Sequence, residues 1–473
     1  MDWKPDRQSH LTIHVQIIEW MKTRIERGDW TVGTKLPTQR KLAAQFEVNR
    51  STINLALDEL KADGLLESKV GSGTFVANNS WNILLNKSQP NWQQHIEASI
   101  HKPNYHTIQL INEFEQKDHI IRLGTGELSP ELLPTKKIER SLKSLSLESR
   151  AIGYSEPQGS KKLRSVLCEY LKKRGIDTAQ ENILIVSGAL QALQLIAIGL
   201  LEEGAIIFQD NPSYLNSIHP FQSAGMRMIP VQRDGNLPDT LRIAKRKKQS
   251  LFYCVPTLQN PTGCNWTIGE RQTLYHTCKQ LQIPIIEDDV YHELLFEPSS
   301  SPALKSFDQS GQVLYVGSVS KTLSPGLRIG WVVAPQSVIQ RLADIKMQTD
   351  YGSSAVSQEI VAQWLSSGLY ESHILQLREQ LKLRATFVEN ILEEQFKHIA
   401  TWKKSEGGFY IWLRFKEPIV NKAFFLNLLK KNVLINPGYI YDTSDLHHIR
   451  LSYAYASLEE LTVGLNSLIE VIS

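Results

Sequence analysis

Apolar residues recur at helical spacing from Thr12 to about Gly28, at Ile13, Ile17, Trp20, Met21 and Ile25, which predicts an amphipathic helix. Gly28 and Gly33 then punctuate the chain, and a turn precedes Lys35-Leu36-Pro37. Thr38 stands where it can cap a second helix with Leu42, Ala43 and Phe46 on one face. After a break at Val48-Asn49, with Asn49 or Ser51 as cap, a third helix turns Ile53, Leu57 and Leu60 inward and stops at Gly64. Two short β-prone runs between Leu65 and Val76 flank the tip Gly71-Ser72-Gly73 and read as a hairpin. Three helices and a hairpin make a winged helix-turn-helix over about residues 10–77, a fold that sets one helix in the major groove of DNA.

Amphipathic order is then lost. Residues 78–118 gather Asn, Gln, His and Ser around Trp81, Trp92, Pro90 and Pro103, and read as a linker with a short helix from Gln93 to Ile100. Beyond it, apolar β runs alternate with helical stretches: Asn182–Val186 and then Leu190–Leu201, followed by Ala205–Gln209, Met228–Val231, Leu251–Val255, Ile283–Glu287 and Val313–Val316. That alternation predicts an α/β domain over 119–473 with a mainly parallel sheet, and a smaller C-terminal α/β subdomain from about 360.

Composition narrows the choices. At 473 residues the chain exceeds one core's usual size, and 41% hydrophobic with 21% charged residues excludes a wholly disordered chain. Fifty-two Lys+Arg against 49 Asp+Glu leaves +3, too little for bulk charge to announce a nucleic-acid partner. Cys168, Cys254, Cys264 and Cys278 are scattered, with no zinc-like spacing, so no metal site is expected and the thiols read as reduced. The polar start Met-Asp-Trp-Lys-Pro-Asp-Arg carries no secretory signal, and the run Leu195 to Leu201 is far too short to span a bilayer. The expectation is a cytoplasmic protein with no membrane partner.

Open parallel sheets collect ligands at the loops after strand C-termini, and chemistry stands at several of these. In Ser318-Val319-Ser320-Lys321 a strand ends at two hydroxyls and a lysine, with Arg328 seven residues on. Such a lysine can form a Schiff base with an aldehyde, and Arg328 can grip a phosphate dianion beside the serines. Glu287-Asp288-Asp289-Val290-Tyr291 ends another strand, and Asn260 follows a third. Ser187-Gly188-Ala189-Leu190 turns into a helix N-terminus suited to phosphate, and Tyr214 offers a ring after a fifth strand.

Two resemblances fit these residues. The series Leu-Pro-Thr-Gln-Arg-Lys-Leu-Ala from Leu36, Val-Asn-Arg-Ser-Thr-Ile from Val48 and Gly-Ser-Gly-Thr-Phe-Val from Gly71 resembles the GntR family of bacterial regulators. That resemblance implies that Arg40 and Arg50 face DNA. Beside Arg50, Asn49, Ser51 and Thr52 would donate to phosphates or base edges, while Gly71 and Gly73 would let the wing approach the backbone. The family usually has Ser or Thr where this chain has Asn49.

Residues from about 120 onward resemble the fold-type I aminotransferases, which use pyridoxal 5′-phosphate. By that resemblance Lys321 is the Schiff-base lysine, and Asp288 pairs with the pyridine nitrogen. Tyr291 and Asn260 would bond the phenolic oxygen, and Tyr214 would stack on the ring. Ser318, Ser320, Arg328 and the turn Gly188, Ala189 and Leu190 would hold the phosphate, although Ala189 and Leu190 lack the side-chain donors usual there. Tyr154, in Gly153-Tyr154-Ser155-Glu156-Pro157, would reach a second subunit's phosphate and so implies a homodimer. Arg450, in His448-Ile449-Arg450-Leu451-Ser452, would anchor the α-carboxylate of an amino acid.

A GntR-like head before an aminotransferase-like body is the layout of the MocR regulators. The expectation is a pyridoxal-phosphate-dependent transcriptional regulator whose amino acid, amine or cofactor effector acts at Lys321. It would read double-stranded DNA at two half-sites as a dimer. The alternative is a working aminotransferase with a DNA-binding appendage, since Lys321, Asp288 and Arg450 suffice for at least a half-reaction. The basic run Arg242 to Lys248 reads as a solvated helix end, or as a surface against which DNA could wrap.

Overall fold

The computed structural model describes residues 3–26, 29–69, 72–77, 104–145, 153–232, 237–244, 249–297 and 302–472. Contacts divide it into Met1–Lys102 and Pro103–Ser473. In the first unit, α1 (Ile13–Glu26), α2 (Gln39–Phe46) and α3 (Arg50–Ala62) precede the antiparallel pair β1 (Leu66–Lys69) and β2 (Gly73–Val76). Ile17, Met21, Leu42, Phe46, Ile53, Leu57 and Leu60 form its core, so the three apolar stripes meet one another. Thr38 accepts from the Lys41 amide at 3.4 Å and caps α2. Asn49 occupies the N-cap position of α3 without a side-chain capping bond. Glu47, left-handed at φ 55°, makes the tight turn between α2 and α3. Gly28 and Gly71 lie outside the described residues.

The second unit starts within the stretch expected to be linker. Helix His106–Phe114 buries Ile108 and Ile111 in the main core, so residues 104–118 are part of the body. Two apolar positions three apart suffice to dock one short helix, and the surrounding polar residues masked them in the sequence. The expected helix Gln93–Ile100, Trp81 and Trp92 lie outside the described residues.

After β3 (Ile121–Arg122) come β4 (Ile183–Val186), β5 (Ile206–Asp210), β6 (Arg227–Val231), β7 (Ser250–Cys254), β8 (Ile285–Asp288), β9 (Val313–Ser318) and β10 (Gly330–Val333). The last seven form one sheet in the order β4-β10-β9-β8-β7-β5-β6. Only β10 runs antiparallel to its neighbours. The sheet is therefore mainly parallel, with helices on both faces, and β4, β5, β7, β8 and β9 are buried along their whole length. The remaining strands are β11 (Ala400–Thr401), β12 (Tyr410–Phe415), β13 (Val433–Leu434), β14 (Asn436–Pro437) and β15 (His448–Ser452). A four-stranded sheet β11-β12-β15-β14 forms the smaller subdomain, and β3 pairs with β13, tying the start of the body to its end. Among the described residues no helix is long and apolar enough to cross a membrane, and no cluster of His, Cys, Asp and Glu could hold a metal ion.

Candidate functional site

The strand ends of β7, β8 and β9 converge on a cavity of about 210 Å³ lined by Tyr214, Asn260, Asp288, Tyr291, Lys321 and Arg328. Ala189, Leu190, Ser318 and Ser320 line the same space. Ten of the expected positions thus meet in one place, although they span some 140 residues of chain.

Asp288 is the informative one. It is buried, Tyr253 donates to its Oδ2 at 2.8 Å, and its Oδ1 has no hydrogen-bond partner. Leaving a buried carboxylate oxygen unmatched is costly, so a donor belongs there. Burial pushes the Asp288 carboxyl up to about 6, with the Tyr253 hydroxyl pulling the other way. A folded value above the ordinary 3.8 means that the folded state holds this proton more tightly than the unfolded chain. Ionisation of Asp288 then works against folding as pH rises from about 4 to about 6, by roughly 3 kcal/mol. Asp288→Asn keeps an acceptor for Tyr253 and removes that slope. Urea unfolding of cofactor-free wild type and variant at pH 4 to 7 should show the wild type losing stability relative to the variant as pH rises.

Lys321 follows β9 and donates from Nζ to the Gly126 carbonyl at 2.7 Å. Gly188, at φ 88°, caps helix Ala189–Leu200. A Cβ there would stand 2.6 Å from the Arg328 guanidinium, so only glycine allows that close approach. Arg328 itself donates to the Ser187 carbonyl at 2.6 Å and keeps further N–H groups for the cavity. The Ser318 hydroxyl donates to Ile329 O at 2.9 Å and accepts from the Ser320 amide at 3.1 Å, so it braces the loop. A helix N-terminus, Arg328 and Ser320 together suit a phosphate dianion, and they do so without side-chain donors from Ala189 and Leu190.

An adjoining cavity, also about 210 Å³, shares Glu127, Tyr214, Ile218, Asn260 and Lys321 with the first. Arg450, in the middle of β15 and 5% exposed, lines it. Its guanidinium donates to Asn260 Oδ1 at 2.8 Å and to the Gly124 carbonyl at 2.6 Å, and lies 4.2 Å from the centre of the Tyr410 ring. Its Nε has no partner. Residues 124–126 thus lie against both the carboxylate-gripping candidate and the lysine. Tyr291 hydrogen-bonds the Tyr410 hydroxyl at 3.1 Å.

Tyr154 is not among the residues lining either cavity of its own chain. It is 85% exposed and packs at 5.4 Å against the exposed Tyr351. The structure adds Tyr253, Tyr410 and Glu127, which the sequence reading passed over. Tyr253 had a usable signal: it is a hydroxyl in an otherwise apolar strand, paired with Ile286, whose next residue on the same face is Asp288. Tyr410 and Glu127 carried none, because tertiary packing alone brings them in.

In the head, Arg40, Asn49, Arg50 and Ser51 are all exposed and Thr52 is half-buried. They occupy the first turns of α2 and α3, where free amides and the positive helix ends favour phosphate. In the wing Gly73 has φ 114°, and Lys35 and Lys69 lie 5.9 and 5.1 Å from the centre of the Phe75 ring, with Lys69 also paired to Glu67 at 3.2 Å. Arg242 pairs with Asp239 at 3.0 Å on the surface, and residues 245–248 of the basic run lie outside the described residues.

Comparison with known proteins agrees with both halves. The aminotransferase class I and II family matches residues 118–468, and the bacterial regulatory proteins of the gntR family match 14–76. YisV of Bacillus subtilis, an uncharacterized HTH-type transcriptional regulator, is 46% identical over 471 residues, 99% of this chain and 97% of that one. The HTH-type transcriptional regulator NorG of Staphylococcus aureus (strain bovine RF122 / ET3-1) is 39% identical over 91% of this chain and 98% of its own. Among solved structures, kynurenine aminotransferase of Pyrococcus horikoshii, crystallised with PMP, superposes with a TM-score of 0.73 at 29% identity, covering 79% of this chain and 95% of that one. A multiple substrate aminotransferase from Thermococcus profundus gives 0.74 at 27%, covering 81% and 98%. A gntR-type head and an aminotransferase class I and II body on one chain, matched over nearly its full length by transcriptional regulators, identify it as a member of the MocR subfamily of GntR-type regulators.

Proposed function

We propose that this chain is a pyridoxal-phosphate-dependent regulator whose DNA binding answers to an amino acid or amine at Lys321. The unmatched Asp288 Oδ1 carries the reading, because it waits for an N–H in a cavity that also holds a lysine and a phosphate cradle. When bound, the cofactor supplies an electrophilic aldehyde and an electron-withdrawing pyridine ring. Lys321 Nζ would hold it covalently, and Asp288 Oδ1 would accept a hydrogen bond from the protonated ring nitrogen. Asn260 and Tyr291 would bond the phenolic oxygen, and Tyr214 would stack on the ring. Arg328, Ser320 and the amides of Ala189 and Leu190 hold the phosphate, with Gly188 admitting the guanidinium and Ser318 bracing the loop. Arg450 takes the ligand's carboxylate. Tyr154, exposed and outside its own cavity, serves the partner's phosphate in a homodimer.

Arg40, Asn49, Arg50, Ser51, Thr52 and Gly73, with Gly71 by its place in the sequence, are assigned to DNA contact, one copy for each half-site. An effector can shift such a regulator only through unequal affinity for its two states. The experiment is operator binding by the purified, cofactor-loaded chain with and without an amino-acid panel; no change with any member would refute the reading.

Arg50→Ala is expected to weaken operator binding by about 1–3 kcal/mol if Arg50 reads a base, or to lower the salt slope by about one if it touches phosphate. The cofactor's absorbance band should not move. A shifted band would mean that head and body do not act as separate modules.

The presence of Lys321, Asp288 and Arg450 in connected cavities also favours some transaminase activity. Steady-state turnover with 2-oxoglutarate above ~1 per second would make catalysis the main role.

A further inference from the structure

The Arg450 cavity carries charge of both signs, and this deepens the proposed function, on which it rests, by naming the effector's class. Glu115 and Glu127 line the cavity together with the cationic Arg450. Glu115 follows helix His106–Phe114 and is fixed by the Thr125 hydroxyl, which donates to its Oε1 at 2.8 Å. Glu127 follows Gly126, whose carbonyl holds Lys321. Neither carboxylate has an ion-pair partner among the described residues.

Two buried groups of the same cavity lack partners as well. Arg450 Nε is unmatched, and so is Asn436 Oδ1, whose amide nitrogen is spent on the Tyr441 hydroxyl at 3.0 Å. A ligand is therefore asked for a carboxylate at Arg450 and for donors elsewhere. Lys321 and Arg450 are the two cations lining the cavity among the described residues, against Glu115 and Glu127. A bound carboxylate would offset one of the two and leave the acidic pair in excess. The carbonyl end of helix His106–Phe114 adds further negative potential beside Glu115.

We infer that the effector is a basic α-amino acid, its carboxylate on Arg450 and its distal ammonium or guanidinium on Glu115 and Glu127. Specificity of this kind is a difference of affinities. A neutral side chain leaves two carboxylates uncompensated, and an acidic one adds repulsion. Glu115 and Glu127 are specificity residues in this arrangement, and Thr125 positions Glu115.

The test titrates the cofactor-loaded full chain with L-ornithine, L-norvaline and L-glutamate, reading both heat and the absorbance band. L-Norvaline has the same backbone length as ornithine without the charge. Ornithine is expected to bind at least tenfold more tightly than norvaline, and glutamate more weakly than either. In Glu115→Gln/Glu127→Gln, where the introduced amide oxygen still accepts from Thr125, the ornithine-to-norvaline ratio should fall to about one. Glu127→Gln alone, at an exposed position, should lower the ratio part of the way and guards against misfolding of the double variant. A wild-type ratio near one, or a ratio that survives in the double variant, overturns the basic effector while leaving the amino-acid reading intact. If no amino acid gives heat or a spectral change, both fall.

Discussion

Lys321→Ala is expected to abolish covalent attachment of pyridoxal phosphate completely and to leave the fold intact. Lys321 is the one primary amine lining the Asp288 cavity among the described residues, so no neighbour can replace it. Its Nζ makes a single hydrogen bond, to Gly126 O, and the side chain is only half-buried. Losing one such bond costs about 1 kcal/mol, well within the stability of a domain this size. Borohydride reduction followed by intact mass measurement should find the cofactor's added mass on the wild type and none on the variant. The phosphate cradle and Asp288 remain, so the variant should still take up the cofactor without a covalent link, and more weakly. The regulatory consequence follows separately. If operator binding by the variant still answered normally to an amino acid, the lysine linkage would have no part in the switch.

Most of the cofactor cavity was legible in the sequence because each contributor sits at a strand end with a local signature. Lys321, Asp288 and Asn260 follow apolar runs that could only be buried strands, and a parallel sheet brings such ends to one edge whatever their separation along the chain. The head was legible for a different reason: its three apolar stripes repeat at 3.6 residues and its breaks fall at capping residues. What escaped the reading depends on contacts that have no local signature. The antiparallel β10 was hidden because Gly330-Trp331-Val332-Val333 follows directly on a loop and is only four residues long. Glu115 and Glu127 reach the Arg450 cavity because β3 pairs with β13 across some 300 residues, and no periodicity reports such a pairing. Helix His106–Phe114 reads as linker in the sequence because two buried isoleucines are too few to establish a period.

The largest stability effect is expected at Arg174→Met, behind the cofactor cavity. Asp289, next to Asp288, has a side chain with no exposure and is paired with Arg174, itself 9% exposed. Arg174 also donates to the Tyr315 hydroxyl at 2.6 Å, and that hydroxyl donates to Asp289 Oδ2 at 3.2 Å. Burial alone would push the Asp289 carboxyl up, but the Arg174 charge overrides it and holds the group below its ordinary value. Methionine fills similar space and removes the charge, leaving a fully buried carboxylate with the Tyr315 hydroxyl and, at 3.9 Å, His292 Nδ1 beside it. Breaking a buried pair on one side costs about 3–5 kcal/mol, more than either residue's exposed counterpart would. The sign with pH is fixed by the same reasoning. Without Arg174 the Asp289 carboxyl rises above its unfolded value, so the penalty is full at neutral pH and is relieved as acid protonates the group. Urea unfolding should therefore show a deficit at pH 7 that shrinks towards pH 5. The variant Arg174→Met/Asp289→Asn should recover much of the loss at pH 7, because no charge is then left behind. A deficit that stayed constant with pH, or that the second substitution did not relieve, would place the cost in packing and not in the orphaned carboxylate.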